Sequence, residues 1–178
     1  MTAVPRPTFA ETPESVRAIM RGNKSRDTRP EIALRSELHR LGWRFRKDFR
    51  IDEGRRGIRA DVVFTRQRVA VFVDGCFWHA CPTHGHVPKA NNDYWRPKLA
   101  RNVERDGRNN ALLEAAGWTV IRIWEHDPLD VAMSRVAHAL NGRRRARDGH
   151  RARGAASENQ GALAASGNRS SSRGCWNS

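Results

Sequence analysis

The sequence predicts a single α/β domain with a central mixed sheet flanked by helices, on three observations. Three strand-like runs, 43–49, 58–64 and 69–73, follow one another across short polar turns, as in an antiparallel meander. A long helical stretch, roughly Pro97 to Ala116, then separates the third run from a fourth, Trp118 to Trp124. Capped helical segments precede and follow these strands, and 178 residues suffice for one domain with a real core.

Residues 1–11 carry two prolines and no apolar period, and read as a flexible arm. Thr12-Pro13 resembles an N-cap with proline at the first helical position, opening a short helix to about Arg21. Thr28-Arg29-Pro30-Glu31 is a capping box, and the helix that it opens places Ile32, Leu34, Leu38 and Leu41 largely on one face before Gly42 stops it. Trp43, Phe45, Lys47 and Phe49 alternate with charged residues. Asp52 to Gly57 is a turn, Ile58 to Phe64 alternates again, and Thr65 to Arg68 turns back into Val69–Val73. That run is apolar throughout and therefore central. Gly117 ends the long helix, and Asp127-Pro128 caps a last one bearing Leu129, Met133, Val136 and Leu140. The folded domain thus spans 12–142, and the Arg-, Ser- and Gly-rich tail 143–178 is expected to be disordered.

Formal net charge is +14. The tail 141–178 holds eight Arg against Asp148 and Glu158, a contribution of +6, so +8 belongs to residues 1–140. A basic folded part favours a polyanionic partner. Three cysteines and no signal-peptide pattern argue against a secreted disulfide scaffold, and no apolar stretch is long enough to span a membrane. A reduced, cytoplasmic protein is expected.

Fifteen positions, Phe72 to His86, then gather Asp74, two thiols, three imidazoles and two adjacent aromatics. Asp61, amid strand apolars, needs a partner or a hard cation such as Mg²⁺ to justify its charge there. Asp74 on the neighbouring strand could join it in one coordination sphere, where the cation would activate water and neutralise phosphodiester charge. His79 is placed for proton transfer, with Asp106 to orient it or to engage metal-bound water. Cys76, Cys81 and His84 follow a C-x4-C-x2-H pattern; His126 is the best fourth ligand and His86 the rival of His84, giving a structural Zn²⁺ site. Phe77 and Trp78 read as wedges between base pairs, joined by Tyr94-Trp95. These residues together suggest a nuclease.

Asp74-Gly75-Cys76-Phe77-Trp78-His79 resembles the signature of the very-short-patch repair (Vsr-type) DNA mismatch endonucleases. The likeness extends to Met20–Glu31, Ala60–Val63, Pro88-Lys89, Asn102–Asp106 and Gly117–Glu125, and covers about 14–127. The resemblance implies a restriction-endonuclease-like fold with a zinc-stabilised loop. It implies Mg²⁺-dependent hydrolysis of one strand of double-stranded DNA, 5′ of the T in a T:G mismatch left by 5-methylcytosine deamination. The expected associations are a cytosine-5 DNA methyltransferase and repair accessory proteins, with the enzyme a nucleoid-associated monomer. By motif position, Asp61 and the backbone carbonyl of Val73 would hold Mg²⁺. His79 would assist proton transfer, with Asp106 and Glu31 in support. Phe77, Trp78 and Trp95 would form the wedge, and Cys76, Cys81, His84 and His126 would hold zinc.

The chain departs from the family in having Asp74 where histidine is frequent and Ala60 where proline is common. His126 stands in place of cysteine, and Cys76 takes the place of the lysine of the E-x-K element of many restriction-type nucleases. A catalytically weak DNA-binding module and a restriction-type enzyme cutting both strands are the alternatives.

Overall fold

The computed structural model describes residues 26–52, 57–89 and 91–145. The N-terminal arm, the expected helix up to Arg21 and residues 146–178 lie outside the described residues. Met1–Leu140 and Asn141–Ser178 form separate compact units. Of the second, residues 141–145 are described, and they are helical.

The elements in order are α1 (Arg29–Arg40), β1 (Arg46–Ile51), β2 (Ile58–Phe64), β3 (Val69–Asp74), α2 (Asn92–Ala115), β4 (Thr119–Trp124) and α3 (129–145). The sheet order is β1-β2-β3-β4. β1, β2 and β3 form the expected antiparallel meander, with Lys47 opposite Val62 and Val62 opposite Val71. β4 then pairs parallel to β3, Phe72 beside Arg122 and Asp74 beside Trp124. A parallel neighbour requires a crossover, and α2 is that crossover.

Two apolar clusters hold these layers. Leu34 and Leu38 of α1 and Ala132, Met133, Val136 and Leu140 of α3 pack on Val62, Phe64, Val69, Val71, Ile121 and Ile123. Leu113 of α2 packs with Ile51, Ile58, Ala60, Val63 and Ala70. The helices therefore cover both faces, and β3 is central as its composition requires.

Both interior helix ends are built by glycine. Gly42 (φ 78°) and Gly117 (φ 80°) take the left-handed conformation after the last helical turn. Trp43 N–H donates to Leu38 O at 3.0 Å and Gly42 N–H to His39 O at 2.9 Å; Trp118 and Gly117 repeat the pattern on Leu113 and Glu114. This double bond closes the orphan carbonyls and turns the chain back toward the sheet.

Two features differ from expectation. α2 begins at Asn92, so Pro97 falls inside the helix. The proline removes an amide donor, but Trp95 is only 6 % exposed, and packing of that side chain outweighs the loss. Asp127 makes no described bond to the amides of α3; its carboxylate turns back to accept from Trp124 N–H at 3.0 Å and pairs with Arg135.

Two substitutions separate these contributions. Leu38→Ala, at a site with 0 % exposure, should cost about 3 kcal/mol. Gly42→Ala has open space for its Cβ and should lose only the backbone preference, about 1 kcal/mol. Urea unfolding of the two variants checks the ratio.

Candidate active site and metal centre

The site lies where β3 and β4 end together. Because the strands are parallel, the segments that follow Asp74 and Trp124 emerge side by side. Glu125 N–H donates to Asp74 O at 2.9 Å, and the Glu125 carboxylate accepts from Cys76 N–H at 2.6 Å. The loop after β3 is thus tied to the end of β4 before any side-chain cluster is considered.

Asp61 is half-buried on β2 and accepts from the Val73 amide at 2.7 Å. Burial pushes its carboxyl up to about 6; the Val73 bond and Arg35 oppose this, while Glu31 and Asp74 reinforce it. Glu31, 5 % exposed, is largely occupied by its own helix end: it accepts from Thr28 Oγ1 at 2.8 Å and Asp27 N–H at 3.0 Å, and pairs with Arg35 at 3.3 Å.

Asp74 is 2 % exposed, and both its oxygens are taken by Arg122, at 2.5 Å from Nε and 2.6 Å from Nη2. This bidentate ion pair is the arrangement that best compensates a buried carboxylate. Arg122 went unnoticed in the sequence. The signal was present, because a lone arginine in the run Val120-Ile121-Arg122-Ile123 is as anomalous as Asp61 among its own apolar neighbours.

His79 Nδ1 lies 2.6 Å from Asp106 Oδ2, and Asp106 comes from α2. Burial would raise the Asp106 carboxyl, but the His79 bond and the Arg122 charge hold it below its usual range. An ionised carboxylate only accepts, so Nδ1 carries the proton and Nε2 is the nitrogen left for chemistry. The structure thus brings together the expected His79 and Asp106, with Arg122 at 3.3 Å from Asp106. Four carboxylates (Asp61, Glu31, Asp74, Asp106) against three guanidiniums (Arg35, Arg105, Arg122) leave the centre locally acidic within a basic chain.

Cys76, Cys81, His84 and His126 form the second cluster, their ligand atoms all within 4.8 Å of one another. Cys76 Sγ is 3.0 Å and Cys81 Sγ 3.9 Å from His126 Nδ1. Two thiols and two imidazoles so placed fit a four-coordinate ion at ordinary bond lengths of about 2.0–2.3 Å. His126 Nε2 faces Asp127 Oδ1 at 3.8 Å, beyond hydrogen-bond reach. His84 belongs to this cluster; the ring of His86 lies instead against Phe77, 5.8 Å between centroids. With no ion, burial pushes the Cys76 thiol up to about 12. Burial also opposes ionisation of Cys81, but amides including those of His84 and Thr83 bring that thiol below its usual value.

Between these clusters stand the aromatics. Phe77 and Trp78 are half-buried, with centroids 5.2 Å and 5.9 Å from Trp95. Trp95 does not protrude as a wedge here; it is the floor on which the other two rest. Tyr94 packs beside it at 5.2 Å, and Lys98 Nζ lies 5.2–5.7 Å from the rings of Tyr94, Trp95 and Trp78. Asn102 donates to Trp78 O at 3.1 Å, pinning the loop to α2. An apolar cleft of about 480 Å³, walled by Phe77, Val87, Leu99 and Val103, adjoins the loop but includes none of Asp61, His79 or Asp106.

Two predictions follow from this geometry. A Cβ at Gly85 would lie 2.4 Å from Cys81 O and 2.8 Å from Cys81 N, so Gly85→Ala must open the turn that joins Cys81 to His84. After incubation with Zn²⁺, the variant should release the metal at chelator concentrations that wild type withstands, measured by metal content and melting temperature. Because the folded carboxyl of Asp61 titrates near 6 and the unfolded one near 4, the folded state holds the extra proton between those values. Stability of the cation-free protein therefore falls as pH rises from about 4 to 6, and the penalty is fully present above. Asp61→Asn removes it: on the order of 2 kcal/mol gained at pH 8 and little at pH 4, read by denaturation without divalent cation.

The sequence matches the family "DNA mismatch endonuclease Vsr" over residues 10–84. It is 52 % identical over 124 residues to the type II nicking enzyme V.NaeI of Lentzea aerocolonigenes, covering 68 % of this chain and 74 % of that protein. It is 41 % identical over 121 residues to the type II nicking enzyme V.XorIIP of Xanthomonas oryzae pv. oryzae, with 67 % and 86 % covered. With the DNA mismatch endonuclease Vsr of Escherichia coli (strain K12), identity is 36 % over 111 residues, covering 60 % and 66 %. A four-strand mixed sheet, a His–Asp pair between the loop after β3 and α2, a Cys/His cluster joining that loop to the end of β4, and relatives that match most of the folded region lead to one assignment: this chain belongs to the Vsr family of DNA endonucleases.

Proposed function

We propose that the protein nicks one strand of duplex DNA on the 5′ side of the T in a T:G mismatch, by cation-dependent phosphodiester hydrolysis. The observation that carries this reading is the placement of the Phe77–Trp78 ledge on the same loop as His79, one residue from the imidazole. A mismatched step is cheaper to unstack than a matched one, so aromatic insertion there selects the mismatch and positions the scissile phosphate at once.

Asp61 and the Val73 carbonyl would hold a divalent cation, Mg²⁺ by its preference for oxygen. Bound there, the cation supplies Lewis-acid charge and a more acidic water. Asp61 binds in its ionised form, so occupancy rises with pH through about 6. His79, oriented by Asp106, moves a proton through Nε2, between water or the leaving sugar oxygen and solvent. Glu31 keeps α1 in register with the centre and adds negative charge. Cys76, Cys81, His84 and His126 hold Zn²⁺ as a structural ion that fixes the loop. The fold is of restriction-endonuclease type, and the enzyme acts as a cytoplasmic monomer on nucleoid DNA. Its genomic counterpart is a cytosine-5 DNA methyltransferase, and repair accessory proteins follow the nick. No helix among the described residues is long and apolar enough to cross a membrane.

A second reading is strand-specific nicking of a fixed matched sequence. The relatives from Lentzea and Xanthomonas, named type II nicking enzymes, favour it. Oligonucleotide duplexes with T:G or C:G at one position, in varied contexts, with Mg²⁺ or chelator, distinguish the two. Cleavage of one strand beside the T, dependent on the mismatch and on Mg²⁺, is the expected outcome; equal nicking of matched duplexes would establish the second reading. Asp61→Ala should abolish nicking and spare DNA binding. Trp78→Ala should reduce the preference for T:G over C:G by about tenfold, with a smaller loss on nonspecific DNA. An equal loss on both duplexes would show that Trp78 only supports the loop.

A further inference from the structure

We propose that Arg122 is the positioning residue of the hydrolytic centre: one guanidinium locks Asp74, Asp106 and Asn110 into a network that fixes the His79 ring. The inference rests on the endonuclease reading and adds to it a residue on β4. Nε and Nη2 hold both oxygens of Asp74 at 2.5 and 2.6 Å, and Nη1 reaches Asn110 Oδ1 at 3.1 Å. Nη2 also lies 3.3 Å from Asp106 Oδ2, which is itself 2.6 Å from His79 Nδ1. The Phe72 ring backs the fork, 5.2 Å from Cζ to the centroid.

One planar group thus spans β3 and two positions of α2 one turn apart. Asp74 is buried and has both oxygens on the guanidinium, so it serves as the anchor for the fork. Lysine offers a single point charge and cannot hold these acceptors in their plane. Without Arg122 the remaining guanidinium on Asp106 belongs to Arg105, whose side chain is 52 % exposed and whose hold is correspondingly loose.

The test compares the full chain with Arg122→Met, Arg122→Lys, Asp74→Asn/Arg122→Met, His79→Ala and His79→Ala/Arg122→Met, by single-turnover nicking and by DNA affinity. Both single Arg122 variants should lose about a hundredfold in rate with affinity little changed, the signature of a misplaced group. The Asp74→Asn/Arg122→Met pair removes both buried charges, so it folds without an orphan, and it should stay slow. In the His79→Ala background the Arg122→Met change should cost nothing further.

A wild-type rate in Asp74→Asn/Arg122→Met would reduce Arg122 to charge compensation and overturn the proposal. Additive loss with His79→Ala, accompanied by weakened DNA affinity, would overturn it in favour of direct phosphate contact. Imidazole ¹⁵N spectra read the same geometry without turnover. The Nδ1 proton held by Asp106 should be visible in wild type and lost in both Arg122→Met proteins, and its retention there also overturns the proposal. A wild-type protein that nicks no duplex would count against the endonuclease reading, while the spectra still decide the role of Arg122.

Discussion

Parallel pairing of β3 with β4 is the constraint on which the site depends. Antiparallel strands would send their following segments to opposite ends of the sheet. Here both emerge together, so Glu125 can bond Cys76 and His126 can reach the thiols. The same pairing sets Arg122 beside Phe72 and two register positions from Asp74, within reach of its carboxylate. Ligand sites of open α/β sheets lie at the carboxyl ends of parallel strands for this geometric reason. α2 makes the pairing possible as the crossover, and the same helix contributes Asp106 and Asn102 to the centre.

The centre is held at the expense of stability. Asp61 keeps a carboxylate in a half-buried position among other acids, with one backbone amide as its closest compensation. Asp74 shows the opposite solution, a carboxylate compensated by a bidentate arginine. The two residues are alike in type and lie on neighbouring strands, and their partners alone separate them. A charge left under-compensated in a fold that can compensate its neighbour marks the place where a ligand belongs.

Much of this was legible in the sequence. Period-2 alternation at 58–64 and the capping box at Thr28–Glu31 are local signals, and the elements appear where those signals put them. The spacing of Cys76, Cys81 and His84, with His126 after a strand, anticipated a cluster that the fold brings within 4.8 Å. What was not legible is tertiary. The start of α2 at Asn92 depends on Trp95 finding Phe77 and Trp78, which no local propensity reports. The fate of Asp74 depends on Arg122, 48 residues away and brought near only by strand pairing.

The aromatic ledge has a further consequence for the protein before it meets DNA. Phe77 and Trp78 rest on Trp95 with Lys98 over the group, so these large apolar rings are half sheltered by one another. A contiguous exposed aromatic patch would invite self-association. Sheltering the rings on one another preserves colloidal stability. It also means that any partner stacking on these rings would exchange one set of ring contacts for another, so its affinity would reflect the difference between two stacked states and not the full energy of one.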